Sequence, residues 1–308
     1  DGNMVDAAHM TLDRLAEAGV RSTWCVIMPG YPDEVYEKVK AAGHEIALHY
    51  NALPAEGCSW DERLFNEQLD MLKRQVGSET AIMTNKNHYL RWEGDVQFYK
   101  WCERAGILVE QSKGGTKRGN KGFSAGTCHP YVPMSDAGED NRLMNVVSIP
   151  TLAWDPPETM RCTKREALAI VDRCKDVNGV AHFLFHPTVI KINAAVGPFL
   201  VELVRYGRSL GLEWWTSDQL YRWYTARRGV ETTVEGGRLR VFAKHACKGL
   251  TVLLPIRGER HSSPAQNGPV RRVRRVNRFG IDMWELVLDV EPGDTIVPVE
   301  GVFAPFAS

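Results

Sequence analysis

Three histidines occupy positions from which their imidazoles could act together on a substrate. His49 ends the short apolar run 44–49, His186 ends the strongly apolar run 179–186, and His88 follows a third, shorter run. In β/α folds, side chains at the carboxyl ends of parallel strands meet at one rim. Imidazoles gathered at such a rim can bind a divalent metal or carry protons at neutral pH. The sequence therefore predicts a site for metal-assisted or acid–base chemistry.

The segment that must position these histidines alternates strand-like runs with helical patterns. Two capping boxes, Ser59 with Glu62 and Thr163 with Glu166, predict the starts of two of the helices. The strand-like runs are 21–28, 44–49, 81–83, 146–154, 179–186 and 212–215. Strands separated by helices favour parallel β/α units, which build either a barrel or a wound sheet.

The sequence pattern changes after Arg228. From there on, strand-like runs are separated by Gly, Pro and Asn, and no helix-length pattern remains. We expect an all-β, sandwich-like domain over 229–308, after a first domain over 1–228. The basic run 270–278 alternates valine with arginine pairs, which is typical of an edge strand whose charges face water. This domain is a candidate surface for oligomerisation.

Composition excludes several classes of partner. Lys+Arg and Asp+Glu both number 38, so the formal net charge is zero, and neither nucleic acid nor a membrane surface is expected as a partner. The absence of a run of about 18 apolar residues predicts a soluble chain without a membrane span. No signal peptide is visible, and because the chain begins with Asp1 rather than Met, we expect that residues precede it and leave the compartment open. The scattered, odd set of seven cysteines predicts free thiols.

Several segments resemble the polysaccharide deacetylase (NodB-homology) family, in a divergent branch. The resemblance covers about residues 1–226 and rests on their order along the chain. The segments are DG (1–2), LDRLAEAGVRSTWCVIMPGY (12–31), VKAAGHEIALH (39–49), GVAHFLFHP (179–187) and GLEWWTSDQLYRW (211–223). The resemblance implies a distorted (β/α) barrel of about seven strands. It also implies a hydrolase that acts on carbon–nitrogen bonds other than peptide bonds.

The resemblance also assigns roles to individual residues. Asp1 and His49 match two metal ligands of the family, and His186 matches the general acid that protonates the leaving amine. The position of the second ligand histidine is occupied by Leu53, and Lys86 is the cation nearest to the position of a family arginine. The catalytic base of the family would lie upstream of Asp1.

The remaining site residues are inferred from their positions in the rim segments. His88 is the first choice for the third metal ligand, and His129 is the second choice and otherwise a substrate-binding residue. Asp155 is expected to orient His186 by accepting its N–H. Four aromatic residues, Tyr89, Trp92, Tyr131 and Trp154, are expected to stack on a sugar ring, although Trp92 and Trp154 equally suit the core.

The predicted reaction is metal-dependent removal of an acetyl group from an N- or O-acetylated carbohydrate. Zinc is the expected metal, with nickel, cobalt and manganese as alternatives. One alternative is hydrolysis of another non-peptide C–N bond in a small N-acylated substrate. A second alternative is a degenerate, carbohydrate-binding protein without activity, which Leu53 favours.

Overall fold

The chain divides into two compact units, Asp1–Tyr221 and Arg222–Ser308, in a computed structural model. The described residues are 4–115, 120–157, 162–256, 263–278 and 280–299. The predicted boundary at 228 coincides with the end of the helix that contains the junction between the units.

The first unit is built on parallel strands. A five-stranded sheet runs in the order β1 to β5, and a separate parallel pair is formed by β6 and β7. The strands are β1 Thr23–Val26, β2 Glu45–Leu48, β3 Thr84–Asn85, β4 Val109–Glu110, β5 Val147–Ser148, β6 Ala153–Trp154 and β7 Phe183–Leu184. The predicted parallel β/α architecture is confirmed, and closure of these strands into a barrel stays a prediction.

Eight α-helices connect and cover these strands in the part of the chain that the structure describes. They are α1 Val5–Ala18, α2 Asp33–Ala41, α3 Glu62–Val76, α4 Gln97–Ala105, α5 Lys164–Asp176, α6 Pro187–Ile192, α7 Val196–Ser209 and α8 Ser217–Arg228. Helix α3 shows why they form, since Phe65, Leu69, Leu72 and Val76 recur at helical spacing and are all buried. No described helix has both the length and the apolarity needed to cross a membrane.

The main core lies between the five-stranded sheet and the helices that pack on it. Tyr50, two residues after the end of β2, stacks on Phe98 of α4 with ring centroids 5.9 Å apart and meets Phe65 of α3 edge-on at 5.3 Å. Fully burying a side chain of this kind stabilises the fold by about 1.5–3 kcal/mol. This cluster therefore fixes the carboxyl end of β2, where His49 stands.

The second unit consists of two antiparallel sheets with strand orders β10-β12-β11 and β13-β9-β8. Their strands are β8 Val230–Glu235, β9 Arg238–Ala243, β10 Cys247–Pro255, β11 Val270–Arg278, β12 Ile281–Val290 and β13 Gly293–Pro298. Both sheets contribute to one apolar core that includes Leu239 of β9 and Leu286 of β12. The basic run forms the edge strand β11, and its arginines pair with acids of β12, notably Arg274 with Glu285 at 2.5 Å.

Three local predictions differ from the structure. Residues 212–215 form no strand, and the strand expected at 81–83 lies at Thr84–Asn85 instead. The capping box at Ser59 is wrong, because the N-cap of α3 lies two residues later: Asp61 accepts the Leu64 N–H at 2.8 Å. The box of Thr163 and Glu166 is confirmed, with both reciprocal hydrogen bonds formed. All seven cysteines are free thiols.

Replacing the true N-cap of α3 should cost more stability than replacing the residue that the sequence pattern favoured. Asp61→Ala removes the acceptor of the Leu64 N–H, so the free energy of unfolding should fall by about 1 kcal/mol. Ser59→Ala, the matched control, should lower it by less than about 0.5 kcal/mol. Urea unfolding of both variants checks this, and a larger loss in Ser59→Ala would contradict the capping seen here.

Candidate active site

His49 is held at the carboxyl end of β2 by its backbone and by its ring. Its N–H donates to the carbonyl of Val26 at 2.8 Å, which continues the β1–β2 ladder. Its ring is buried, and Nδ1 lies 2.7 Å from the backbone carbonyl oxygen of Lys86. Because a carbonyl oxygen can only accept, Nδ1 carries the proton and Nε2 is left with its lone pair.

His88 stands opposite His49 in a short 3₁₀ turn over His88–Leu90. Its backbone N–H donates to the carbonyl of Tyr50 at 2.8 Å, and its ring is 1% exposed. Ring atom Nδ1 lies 3.3 Å from His49 Nε2, while Nε2 lies 3.4 Å from the Glu56 carboxylate. The turn is a strained one, since Tyr89 and Leu90 have φ of 56° and 51°.

The contacts of the two rings restrict which ring nitrogens of His88 can carry a proton. If His88 carries its proton on Nδ1, its Nε2 lone pair faces the Glu56 carboxylate. If it carries the proton on Nε2, two lone pairs face one another across the 3.3 Å gap. A doubly protonated His88 or a cation bound by both rings would satisfy both sides. Burial lowers the pKa of His88, and burial with the neighbouring His88 and His186 rings holds the pKa of His49 well below its usual range.

The distance between His49 Nε2 and His88 Nδ1 is that expected for two ligands of one metal ion. Two imidazole nitrogens bound to one tetrahedral zinc lie about 3.4 Å apart. The other ring nitrogens of metal-ligating histidines usually face a backbone carbonyl or a carboxylate, as those of His49 and His88 do here. Among the described residues, no group of three or more His, Cys, Asp or Glu side chains is arranged to hold a metal. The predicted ligand Asp1 lies outside them.

Leu53, at the position of the family's second ligand histidine, introduces a short 3₁₀ helix over Pro54–Glu56. Its N–H donates to Asn51 Oδ1 at 3.0 Å, and the Asn51 amide donates to Glu56 at 2.8 Å. This turn brings Glu56 to His88. The sequence reasoning missed Glu56, and the only available signal was its place in the turn that follows His49.

His186 is coupled to a fully buried carboxylate. Asp155 Oδ2 lies 2.7 Å from His186 Nδ1, and Asp155 Oδ1 accepts the backbone N–H of His186 at 2.7 Å. Asp155 has φ of 42° and donates its own N–H to the carbonyl of Leu184 at 2.8 Å. These hydrogen bonds hold a backbone conformation that is unfavourable for a residue other than glycine. They fix the imidazole with Nδ1 protonated and Nε2 directed away from the carboxylate.

Aromatic side chains connect the two halves of the site. Trp154 lies 5.9 Å from the His186 ring and 6.4 Å from Tyr89, measured between ring centroids. Tyr89 lies 4.6 Å from the His88 ring and is 53% exposed. The exposed face of this group is suited to stacking on an apolar ring face. Tyr89 and Trp154 are two of the four aromatic residues predicted to stack on a sugar ring.

The other predicted substrate-binding residues lie elsewhere. Trp92 packs on Tyr99 at 4.7 Å and on Phe98 at 5.4 Å, with the Lys113 ammonium 3.6 Å above its ring. Tyr131 meets Tyr99 hydroxyl to hydroxyl at 3.2 Å, and His129 is an exposed loop residue.

A buried polar pair lies deeper in the same unit. Lys86 is 2% exposed, and its ammonium donates to His182 Nε2 at 3.2 Å, because His182 Nδ1 donates to the carbonyl of Pro150 at 3.1 Å. Burial lowers the pKa of Lys86 and, with the Lys86 charge, holds the pKa of His182 well below its usual range.

Glu110 of β4 is a second buried ionisable group that the sequence reasoning missed. It is fully buried and accepts the N–H of Ser112 at 2.7 Å. Burial raises the pKa of Glu110 to about 7, although the hydrogen bonds from Ser112 and the charges of Lys113 and Lys86 lower it. Nothing in the local pattern VEQ marks this glutamate, since its burial depends on α4 packing over the sheet.

Comparison with solved structures relates the fold to that of a Mycobacterium smegmatis protein described as a polysaccharide deacetylase. The two are 16% identical over 75% of this chain and 81% of that chain, with a TM-score of 0.51. At this identity the likeness supports the deacetylase-like fold and nothing finer. An α-fucosidase from Thermotoga maritima matches at 10% identity over 96% of this chain and 79% of that chain, and its TM-score of 0.29 is too low to carry an argument. No protein-family model and no curated sequence matches the chain.

The buried Glu110 should make stability fall as the pH rises. Folding raises its pKa from 4.5 to about 7. Between these two pH values the folded chain keeps a proton on Glu110 that the unfolded chain has lost. The free energy of unfolding therefore falls as the pH rises through this range, by at most about 3 kcal/mol. Glu110→Gln removes the ionisation and should shrink the difference in unfolding free energy between about pH 5 and pH 8 by about 1–3 kcal/mol. Urea unfolding at both pH values measures it. Glu67→Gln on the exposed face of α3 is the control, and an unchanged difference in Glu110→Gln would overturn the assignment.

Proposed function

We propose that this chain is a hydrolase that removes an acyl group, in the simplest case acetyl, from an N- or O-acylated carbohydrate. The proposal is carried by two pairs of side chains at the carboxyl ends of parallel strands in the first unit. One pair is the buried His49 and His88, with ring nitrogens 3.3 Å apart, and the other is His186 with its buried Asp155 at 2.7 Å. Together they supply a cation-binding pair and an oriented proton carrier.

His49 and His88 would hold a divalent metal ion, zinc in the first place, with Asp1 as the predicted third ligand. Such an ion, when bound, polarises the acyl carbonyl and lowers the pKa of a bound water. The backbone carbonyl of Lys86 and the Glu56 carboxylate would keep the two rings oriented toward it. His49 is neutral at physiological pH, as a ligand must be, because burial lowers its pKa.

His186 would carry the proton of the reaction. Asp155 fixes the ring so that Nε2 is the nitrogen offered to the substrate, and its charge stabilises the imidazolium form. In that form His186 donates a proton to the departing nitrogen, which cannot leave as an anion. The burial of Asp155 keeps this hydrogen bond away from competing water.

A carbohydrate is the proposed substrate because an aromatic pair flanks the imidazoles. Tyr89 offers an exposed ring face, and Trp154 lies between it and His186. Ring faces of this kind pack against the apolar face of a pyranose. The structural neighbour described as a polysaccharide deacetylase agrees with this class of substrate.

Metal content should depend on the buried histidine pair. Protein purified without chelator should carry about one divalent ion per chain, and His49→Ala or His88→Ala should each reduce this to less than about a tenth. His9→Ala on α1, where the ring meets Lys38, is the control that keeps the metal. Metal analysis by mass spectrometry decides the matter. A native protein with no metal above trace would favour the degenerate, carbohydrate-binding alternative.

Removing the charge of Asp155 should impair the proton transfer and leave substrate binding largely intact. In Asp155→Asn the His186 ring loses its orienting acceptor, so kcat for release of acetate from an N-acetylated sugar should fall by about 10²- to 10⁴-fold. Asp176→Asn, on the exposed end of α5, is a control of the same chemistry. Equal kcat values in Asp155→Asn and the native enzyme would show that His186 is not the proton carrier.

A further inference from the structure

A cavity of about 250 Å³ in the first unit includes both His49 and His186 in its lining. It is bounded by β1 and β7, each an edge strand of its sheet, by the irregular segment 214–216 and by the start of α8. The sequence predicts a strand over 212–215, and that strand is not formed. The cavity therefore lies beside the gap that a closing strand would fill.

The cavity is far larger than an acetyl group requires. An apolar cavity of about 150 Å³ is enough to hold a benzene ring, and one water occupies about 30 Å³ of liquid. A volume of about 250 Å³ thus corresponds to roughly eight water-sized groups. This capacity suits a chain of several carbon atoms.

The outer walls of the cavity are apolar. Helices α1 and α7 contribute Leu15, Leu200 and Val204, and the segment of β7 contributes Phe183 and Phe185. Transfer of each CH₂ group from water to such surroundings is favourable by about 0.8 kcal/mol. A hydrocarbon chain would gain from every carbon that it places there.

Polar groups also line the cavity, and those of Lys86, Gln111, Ser217 and Thr23 have partners within the protein. The Lys86 ammonium donates to His182, and the Gln111 amide donates to the Ser217 hydroxyl. Ser217 Oγ in turn accepts from the Thr23 hydroxyl at 2.9 Å. Because these hydrogen bonds are already formed, these four side chains do not require a polar ligand.

We propose that this cavity is an acyl-chain site, and that the enzyme hydrolyses N-acyl groups of about four to eight carbons in preference to acetyl. The inference rests on the proposed function, since the reacting carbonyl must lie between His49 and His186 for the chain to enter. The sugar would then remain on the side of Tyr89 and Trp154. The acyl group, rather than the sugar, would supply much of the selectivity.

The test is the rate of hydrolysis of glucosamine N-acylated with acetyl, butyryl, hexanoyl and octanoyl groups. Each buried CH₂ can raise kcat/KM by up to about fourfold, and hexanoyl should exceed acetyl by at least about tenfold. Ala181→Phe places a ring in the cavity and should remove this preference while acetyl hydrolysis changes by less than about twofold. Ala16→Phe, on the exposed face of α1, is the matched control and should behave like the native enzyme.

Product inhibition provides a measurement that needs no variant. Hexanoate should inhibit the native enzyme at concentrations at least about tenfold lower than acetate does. If acetyl is the best substrate and acetate inhibits as well as hexanoate, the acyl-chain site is refuted while the hydrolase proposal stands. If no member of the series is hydrolysed, the proposed function fails and this inference fails with it.

Discussion

The backbone carbonyl of Lys86 determines the chemistry of the whole site. By accepting the proton of His49 Nδ1 at 2.7 Å, it forces the lone pair of His49 to face His88. The Glu56 carboxylate restrains His88 from the other side. Two buried imidazoles are thus held with ring nitrogens 3.3 Å apart, and the proposed metal site rests on this arrangement. The strands that meet at this end, the aromatic cluster below Tyr50 and the strained turn at Tyr89 all contribute to that positioning.

A second constraint is the cost of burying charge. Asp155, Glu110 and Lys86 are each almost fully buried, but the protein compensates for the burial of each one in a different way. Asp155 is paired with an imidazole, Glu110 has a raised pKa that favours its neutral form, and Lys86 donates to a histidine that burial keeps neutral. Burying an ionised group without compensation costs several kcal/mol. Each of the three side chains therefore limits which neighbours the fold can tolerate, and only the first serves the proposed reaction directly.

The predictions that succeeded were those set by periodicity over many residues. The parallel β/α order of the first unit and the antiparallel all-β composition of the second followed from alternation and spacing, and the helix start at Thr163 followed from side-chain chemistry within four residues. The predictions that failed concerned short segments. The apolar run 212–215 forms no strand, since its pairing depends on distant edges, and Asp61 competes successfully with Ser59 for the same helix end.

The sequence by itself determined the element types and the candidates for chemistry, because hydrophobic spacing and capping are local properties. It pointed to His49, His88, His186 and Asp155 through their places at strand ends. Only the tertiary structure decided that His49 and His88 face each other, that Glu56 rather than residue 53 stands beside His88, and that Trp92 packs among other aromatic rings instead of beside His186. The first two outcomes depend on contacts between residues more than thirty positions apart. No local pattern encodes which of several polar side chains the packing will leave within a hydrogen-bond distance of one another.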